Sequence, residues 1–109
     1  MSEKCIVQKD WEKYLNELSK KIKNMDEAVE IDIIAPGVFE GEEAEGLQLV
    51  GISYDHKDNI VSVFCEVLDH IISKPQEIAV EDENGAITSI RITDGSGVEH
   101  LIKFSKPIS

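Results

Sequence analysis

Apolar residues recur at spacings of three and four between Trp11 and Met25, and close to every second position from Ala28 almost to the C-terminus. Those two periods match one face of a helix and one face of a pleated strand, so the chain reads as a single helix followed by strands alone. Trp11, Tyr14, Leu15, Leu18, Ile22 and Met25 form the helical stripe, with Lys, Glu and Asn between them. Asp10 is placed to cap the helix, and Glu12 sits in its positive first turn. Lys20, Lys21 and Lys23 sit in the negative last turn, and Asn24 is a stop. The helix is expected over 10–25, preceded by a flexible tail over 1–9. A crossover helix between parallel strands has no room after it, so the sheet is expected to be antiparallel.

Val29, Ile31 and Ile33 alternate with Glu30 and Asp32 in a first strand that ends at Pro36-Gly37. In the second, over 47–54, the apolar phase slips from Leu47/Leu49 to Val50/Ile52/Tyr54, with Gly51 at the slip. A β-bulge there lets both sets face inward. The run 60–67 reads as a third strand hairpinned onto the second. Residues 68–76 read as an irregular connection. Three more strands follow, near 77–82, 86–93 and 98–104, split by Glu83-Asn84-Gly85 and Asp94-Gly95-Ser96-Gly97. Asn-Gly and Asp-Gly tolerate positive φ and so mark hairpins. The expected fold class is α+β, a single domain over 1–109. Its N-terminal amphipathic helix precedes about six antiparallel strands over 28–104, in a strongly bent sheet or small barrel.

Charge narrows the function classes. The chain has 22 acids against 11 bases, a formal net charge of −11. Nucleic-acid binding draws its energy from Lys and Arg displacing counterions, so neither a nucleic acid nor an anionic membrane is an expected partner. The imbalance is local: residues 1–24 hold six lysines against four acids, whereas 25–109 hold five bases against 18 acids. Between Asp26 and Glu45 there are eight acids and no base, which reads as a solvated face or loop. Its docking reading makes Glu40, Glu42, Glu43 and Glu45 the candidate partner surface. No run of about 20 apolar residues is present to span a membrane, and the first residues lack the apolar stretch of a signal peptide. A cytoplasmic location with Cys5 and Cys65 as free thiols is therefore expected.

Motifs for chemistry are sparse. Gly95-Ser96-Gly97 lies between strands, not between a strand and a helix, so it is neither a phosphate cradle nor a nucleophile elbow. Cys5, His56, Cys65, His70 and His100 lack the short spacings of a zinc site. Asp55, Asp58 and Asn59 lack the pattern of a calcium loop. No metal and no cofactor are expected. Cys65 shares a face with Val61, Val63 and Val67 and reads as a buried, inert thiol. His100 lies on the Val98/Ile102/Phe104 face and reads as a core or rim histidine. Asp69-His70 is the one adjacent acid and imidazole; in a loop the two can meet and tune a base near neutral pH, so the pair is the candidate functional loop. Its structural reading is that His70 ties that connection in place.

The segments Lys9-Asp10-Trp11-Glu12-Lys13-Tyr14-Leu15-Asn16-Glu17-Leu18-Ser19 and Leu47-Gln48-Leu49-Val50-Gly51-Ile52-Ser53-Tyr54-Asp55 resemble a family of small bacterial proteins defined only as a domain of unknown function. So do the stretch from Asp69 to Pro75 and the closing Gly97-Val98-Glu99-His100-Leu101-Ile102-Lys103-Phe104. The resemblance implies a stand-alone bacterial domain and brings no reaction, cofactor or catalytic residue. A helix followed by a bent antiparallel sheet is also similar in outline to Sm-like RNA-binding barrels. This chain lacks the basic, aromatic surface that single-stranded RNA recognition uses. The expected function is a non-catalytic binding or adaptor role toward a protein partner or a second copy of the chain. The alternative is an enzyme or ligand-binding barrel with a site near Asp69, His70 and His100.

Overall fold

Trp11, Leu15, Leu18 and Ile22 are all buried in α1 (Trp11–Lys23), as the apolar stripe requires. The structure, a computed structural model, describes residues 2–36 and 43–109. Asn24 caps the helix end as expected, but Asp10 makes no side-chain capping bond. A short 3-10 turn over Gln8–Asp10 leads into the helix and leaves Asp10 in a helical, not an extended, conformation. The Trp11 indole N–H donates instead to the Ile6 carbonyl at 2.8 Å, and its ring meets that of Tyr54 edge to face with centroids 5.2 Å apart.

The helix packs on one antiparallel sheet of eight strands among the described residues. They are β1 (Ser2–Cys5), β2 (Val29–Ile34), β3 (Glu43–Asp55), β4 (Ile60–Cys65), β5 (Asp69–Ser73), β6 (Glu77–Glu83), β7 (Ala86–Thr93) and β8 (Glu99–Ile108). Their order is β1-β6-β7-β8-β2-β3-β4-β5, a bent sheet that does not close into a barrel. Two strands lie where none was expected. The segment read as a tail supplies β1, which pairs with β6 from Ser2↔Asp82 to Cys5↔Ala79. The segment read as an irregular connection supplies β5, paired with β4 from Phe64↔Asp69 to Ile60↔Ser73. Both are too short for their sequence period to stand out, and their partners impose the extended form.

The bend is concentrated in β3. Its residues 43–49 pair with β2, and residues 49–55 pair with β4. The register slips between Leu49 and Gly51, where the change of apolar phase places a bulge. The Ser19 hydroxyl accepts from the Ile52 N–H at 3.0 Å and donates to the Ile52 carbonyl, tying the helix to the strand beside this bulge. A second slip falls at Gly46, whose φ of 64° suits a residue without Cβ and whose N–H donates to Asp32 Oδ1 at 2.8 Å. With β4 and β5 folded over, Ile31, Ile33, Ile52, Val61, Val63, Ile90, Ile92 and Ile102 close a core around the helix stripe. Val67, expected on the Cys65 face, is 79% exposed because β4 ends at Cys65.

The single arginine gathers three carboxylates. Arg91 on β7 lies 2.9 Å from Glu3 on β1, 3.1 Å from Glu77 on β6 and 3.6 Å from Glu99 on β8. Exposed pairs are weak one at a time, but removing this cation leaves three acids facing one another. Arg91→Met is expected to lower stability by about 1 kcal/mol and to loosen β1 first, read as faster amide exchange at residues 2–5.

Candidate functional site

The inward positions of β5 are 70 and 72, and those of β8 include 100 and 102. Because the sheet curls, β5 and β8 face each other across its concave side although four strand pairings separate them. His70 Nε2 lies 2.8 Å from His100 Nδ1, and His100 Nε2 lies 2.8 Å from Asp94 Oδ2. The two histidines are 5% and 3% exposed. Asp94 opens the β7–β8 turn, and its other oxygen, Oδ1, accepts the N–H groups of Ser96 at 2.8 Å and Val98 at 3.0 Å. A tight hairpin turn thus aims a carboxylate at the first inward side chain of the next strand.

The hydrogen bonds assign the tautomers. The Asp94 carboxylate accepts from His100 Nε2–H, which leaves His100 Nδ1 a lone pair that accepts from His70 Nε2–H. The bond from His100, helped by the Val98 and Ser96 N–H groups, holds the Asp94 carboxyl below its ordinary range against the opposing effect of burial. Burial, with His100 beside it, pushes His70 down to about 4. At neutral pH His70 is therefore an uncharged donor, and the chain ties the β7–β8 turn to β5. The turn also touches β5 directly: the Gly95 N–H donates to the Ser73 carbonyl at 3.4 Å. A Cβ at Gly95 would stand 2.9 Å from the Lys74 Cβ and 3.3 Å from its carbonyl. Lys74 has a φ of 52° and little freedom to retreat. Gly95→Ala is expected to cost about 2 kcal/mol and to shift the His70 and His100 ring resonances in an NMR spectrum.

His70 lies on β5 and bonds to His100, and the acid of this chain is not Asp69. Asp69 points out of the opposite face of β5, because neighbours in a strand alternate, and does not meet His70. The carboxylate comes from Asp94, read from sequence only as a turn residue. The available signal was an Asp at a turn's first position with a histidine on the inward parity of the strand that follows. Cys65 is buried, and its thiol is pushed up by that burial and by the Asp69 charge. Of the acidic candidates, Glu45 is exposed on β3, Glu40 and Glu42 lie outside the described residues, and Glu43 is described only as the first residue of β3. Among the described residues no group of three His, Cys, Asp or Glu side chains is disposed to hold a metal ion. None of their helices is long and apolar enough to cross a membrane.

The outer face of β3, β4 and β5 carries what the charge pattern did not suggest. Phe64 is 38% exposed, Val50 and Ile71 47% each, and Val67 stands on the β4–β5 turn. Phe64 opposes Asp69 and Ile71 opposes Ser62, so Phe64 and Ile71 are diagonal neighbours across the pair. Val50 is the bulge residue between the Leu49↔Cys65 and Gly51↔Phe64 pairs. The two sheet edges differ accordingly: β1 presents Glu3 and Lys4, which discourage strand addition, and β5 presents Ile71.

The model of a family of unknown function, DUF5335, matches residues 2–109. An uncharacterized protein of Aquifex aeolicus (strain VF5) is 35% identical over 109 residues, covering 99% of this chain and 96% of its own. No solved structure matches the chain.

Proposed function

We propose that this chain, which belongs to the DUF5335 family of unknown function, is a non-catalytic protein-docking domain of the bacterial cytoplasm. Its docking surface is the outer face of β3–β5. The observation that carries this reading is the cluster of Val50, Phe64, Val67 and Ile71 beside a sheet edge to which no further strand of the described residues is paired. Large apolar side chains on an edge strand invite association, and a protein whose edges are otherwise guarded by charge gains from keeping them only if something covers them. The net charge of −11 keeps nucleic acids and anionic membranes away from the same surface.

The Asp94–His100–His70 chain is the observation that favours an enzyme, since it brings two of the candidate residues within hydrogen-bond reach. A general base must present a nitrogen to its substrate. Here both nitrogens of His100 and the Nε2 of His70 are spent within the chain, and both rings are at least 95% buried. A structural tie accounts for that arrangement; a working base does not.

Photocrosslinking in bacterial cells, with a photoreactive phenylalanine at position 64 and separately at Glu17 on the helix, tests the proposal. A discrete adduct is expected from position 64 and none from 17. Charge reversal at Glu42, Glu43 and Glu45 together is expected to leave that adduct in place; its loss would move docking to the acidic run. No discrete adduct from position 64 would overturn the assignment of this face.

A further inference from the structure

In an antiparallel ladder, alternate residues bond to the neighbouring strand and the others point their N–H and C=O groups the opposite way. Two bonds fix that phase for β5. The Cys65 N–H donates to the Leu68 carbonyl at 3.0 Å, and the Lys74 N–H donates to the Asn59 carbonyl at 2.9 Å. Leu68, His70, Ile72 and Lys74 therefore bond toward β4, and Asp69, Ile71 and Ser73 point to the open edge. The Ser73 carbonyl is occupied by the Gly95 N–H. What the edge offers is the backbone of Asp69 and Ile71, under the exposed side chains of Ile71 and Phe64.

We propose that the occupant of this edge is a second copy of the chain, paired β5 to β5 about a two-fold axis at His70. The inference rests on the docking reading above and names its partner. Setting Asp69 against Ile71 of the second copy, and the reverse, uses every offered group and makes four interchain hydrogen bonds. A register centred on Asp69 makes two and sets carboxylate against carboxylate, and one centred on Ile71 places Asp69 of the second copy beside Ser73, where the β7–β8 turn already lies on the edge. In the favoured register no acid of β5 faces an acid. Lys74 of each copy approaches the Glu66–Val67 turn of the other, so opposite charges meet at both ends of the seam. Phe64 and Ile71 of the two copies form one apolar strip along it. An isologous contact of this kind closes on itself and leaves β1, with Glu3 and Lys4, as the outer edge of the pair.

Each copy carries −11, so added salt should tighten this contact by screening net repulsion, whereas a contact with a basic partner would weaken. Sedimentation velocity and light scattering of the purified chain at low and at about 0.5 M NaCl test the proposal. The expected result is a dimer that strengthens with salt. Ile71→Glu sets a carboxylate directly against Asp69 of the second copy. Ile71→Pro removes an N–H that points away from β4, which an edge strand tolerates. Either variant should weaken association about tenfold or more with unchanged circular dichroism; if the proline variant misfolds, the glutamate variant decides. A monomer at all concentrations and salts, or a dimer indifferent to Ile71→Glu, would overturn the pairing. A crosslink from position 64 to a different protein, with the purified chain monomeric, would overturn the self-pairing and leave the docking face standing. Dimerisation with no adduct in cells would do the reverse.

Discussion

His100→Ala should be the most damaging single substitution outside the aliphatic core. It removes the middle of a buried chain, leaving the His70 Nε2–H without its acceptor and the Asp94 carboxylate without the donor that holds it deprotonated. A buried polar group left unpaired costs about 1–3 kcal/mol, more when charged, and the imidazole volume is lost as well. The sum is about 4 kcal/mol, a large share of the roughly 5–15 kcal/mol that holds a domain of this size together. Urea unfolding followed by the fluorescence of Trp11, the single tryptophan, measures it directly. The companion variant sharpens the reading. Replacing His70 and His100 together by leucine removes the stranded His70 N–H and keeps the space filled, leaving only Asp94 without its His100 donor, and it should recover about half of the loss. If the double variant is as unstable as the sum of the singles, the two rings do not act as one chain.

This site shows where a sequence stops being readable. The helix stripe, the Gly51 bulge and the Asn84-Gly85 turn, both of whose residues have positive φ, follow from local rules that act within a few residues, and each is found in place. His100 was readable as an inward residue for the same reason. Its partners were not, because which side chains meet across a sheet depends on how far the sheet bends. That bend comes from the division of β3 between β2 and β4, a property of pairing and not of any short segment. β5 had too few residues to reveal its period, so Asp69 beside His70 looked like a functional pair, whereas the strand turns them to opposite faces. The acidic run drew attention through composition alone. The apolar outer face escaped it for the converse reason: Val50, Phe64 and Ile71 lie seven and more residues apart and become neighbours only through the pairing of β3, β4 and β5.

Acid should weaken the fold through His70, and the sign follows from its displacement. In the unfolded chain the imidazole titrates at its ordinary 6.5, and in the folded chain at about 4. Between those values the unfolded state holds the extra proton, so stability rises with pH. The contribution of His70 is therefore complete above 6.5 and is lost progressively as pH falls toward 4. Over that window the loss approaches about 3 kcal/mol. Below it Asp94 takes over: its carboxyl lies under the ordinary 3.8, so the stability it brings is present above that value and disappears as pH falls through its lowered folded value. Nε2 of His70 already carries a proton, so the added one goes to Nδ1 and puts a charge on a buried ring of β5, which makes that strand the place where the acid-treated molecule first opens. The urea midpoint of the wild type should accordingly fall between pH 7 and 4.5, with amide exchange quickening in β5 before β7. In His70→Leu the midpoint should stay nearly level across the same range and drop only at lower pH. An equal slope in both proteins would mean that the proton is taken up elsewhere and that His70 is not the group linking pH to the fold.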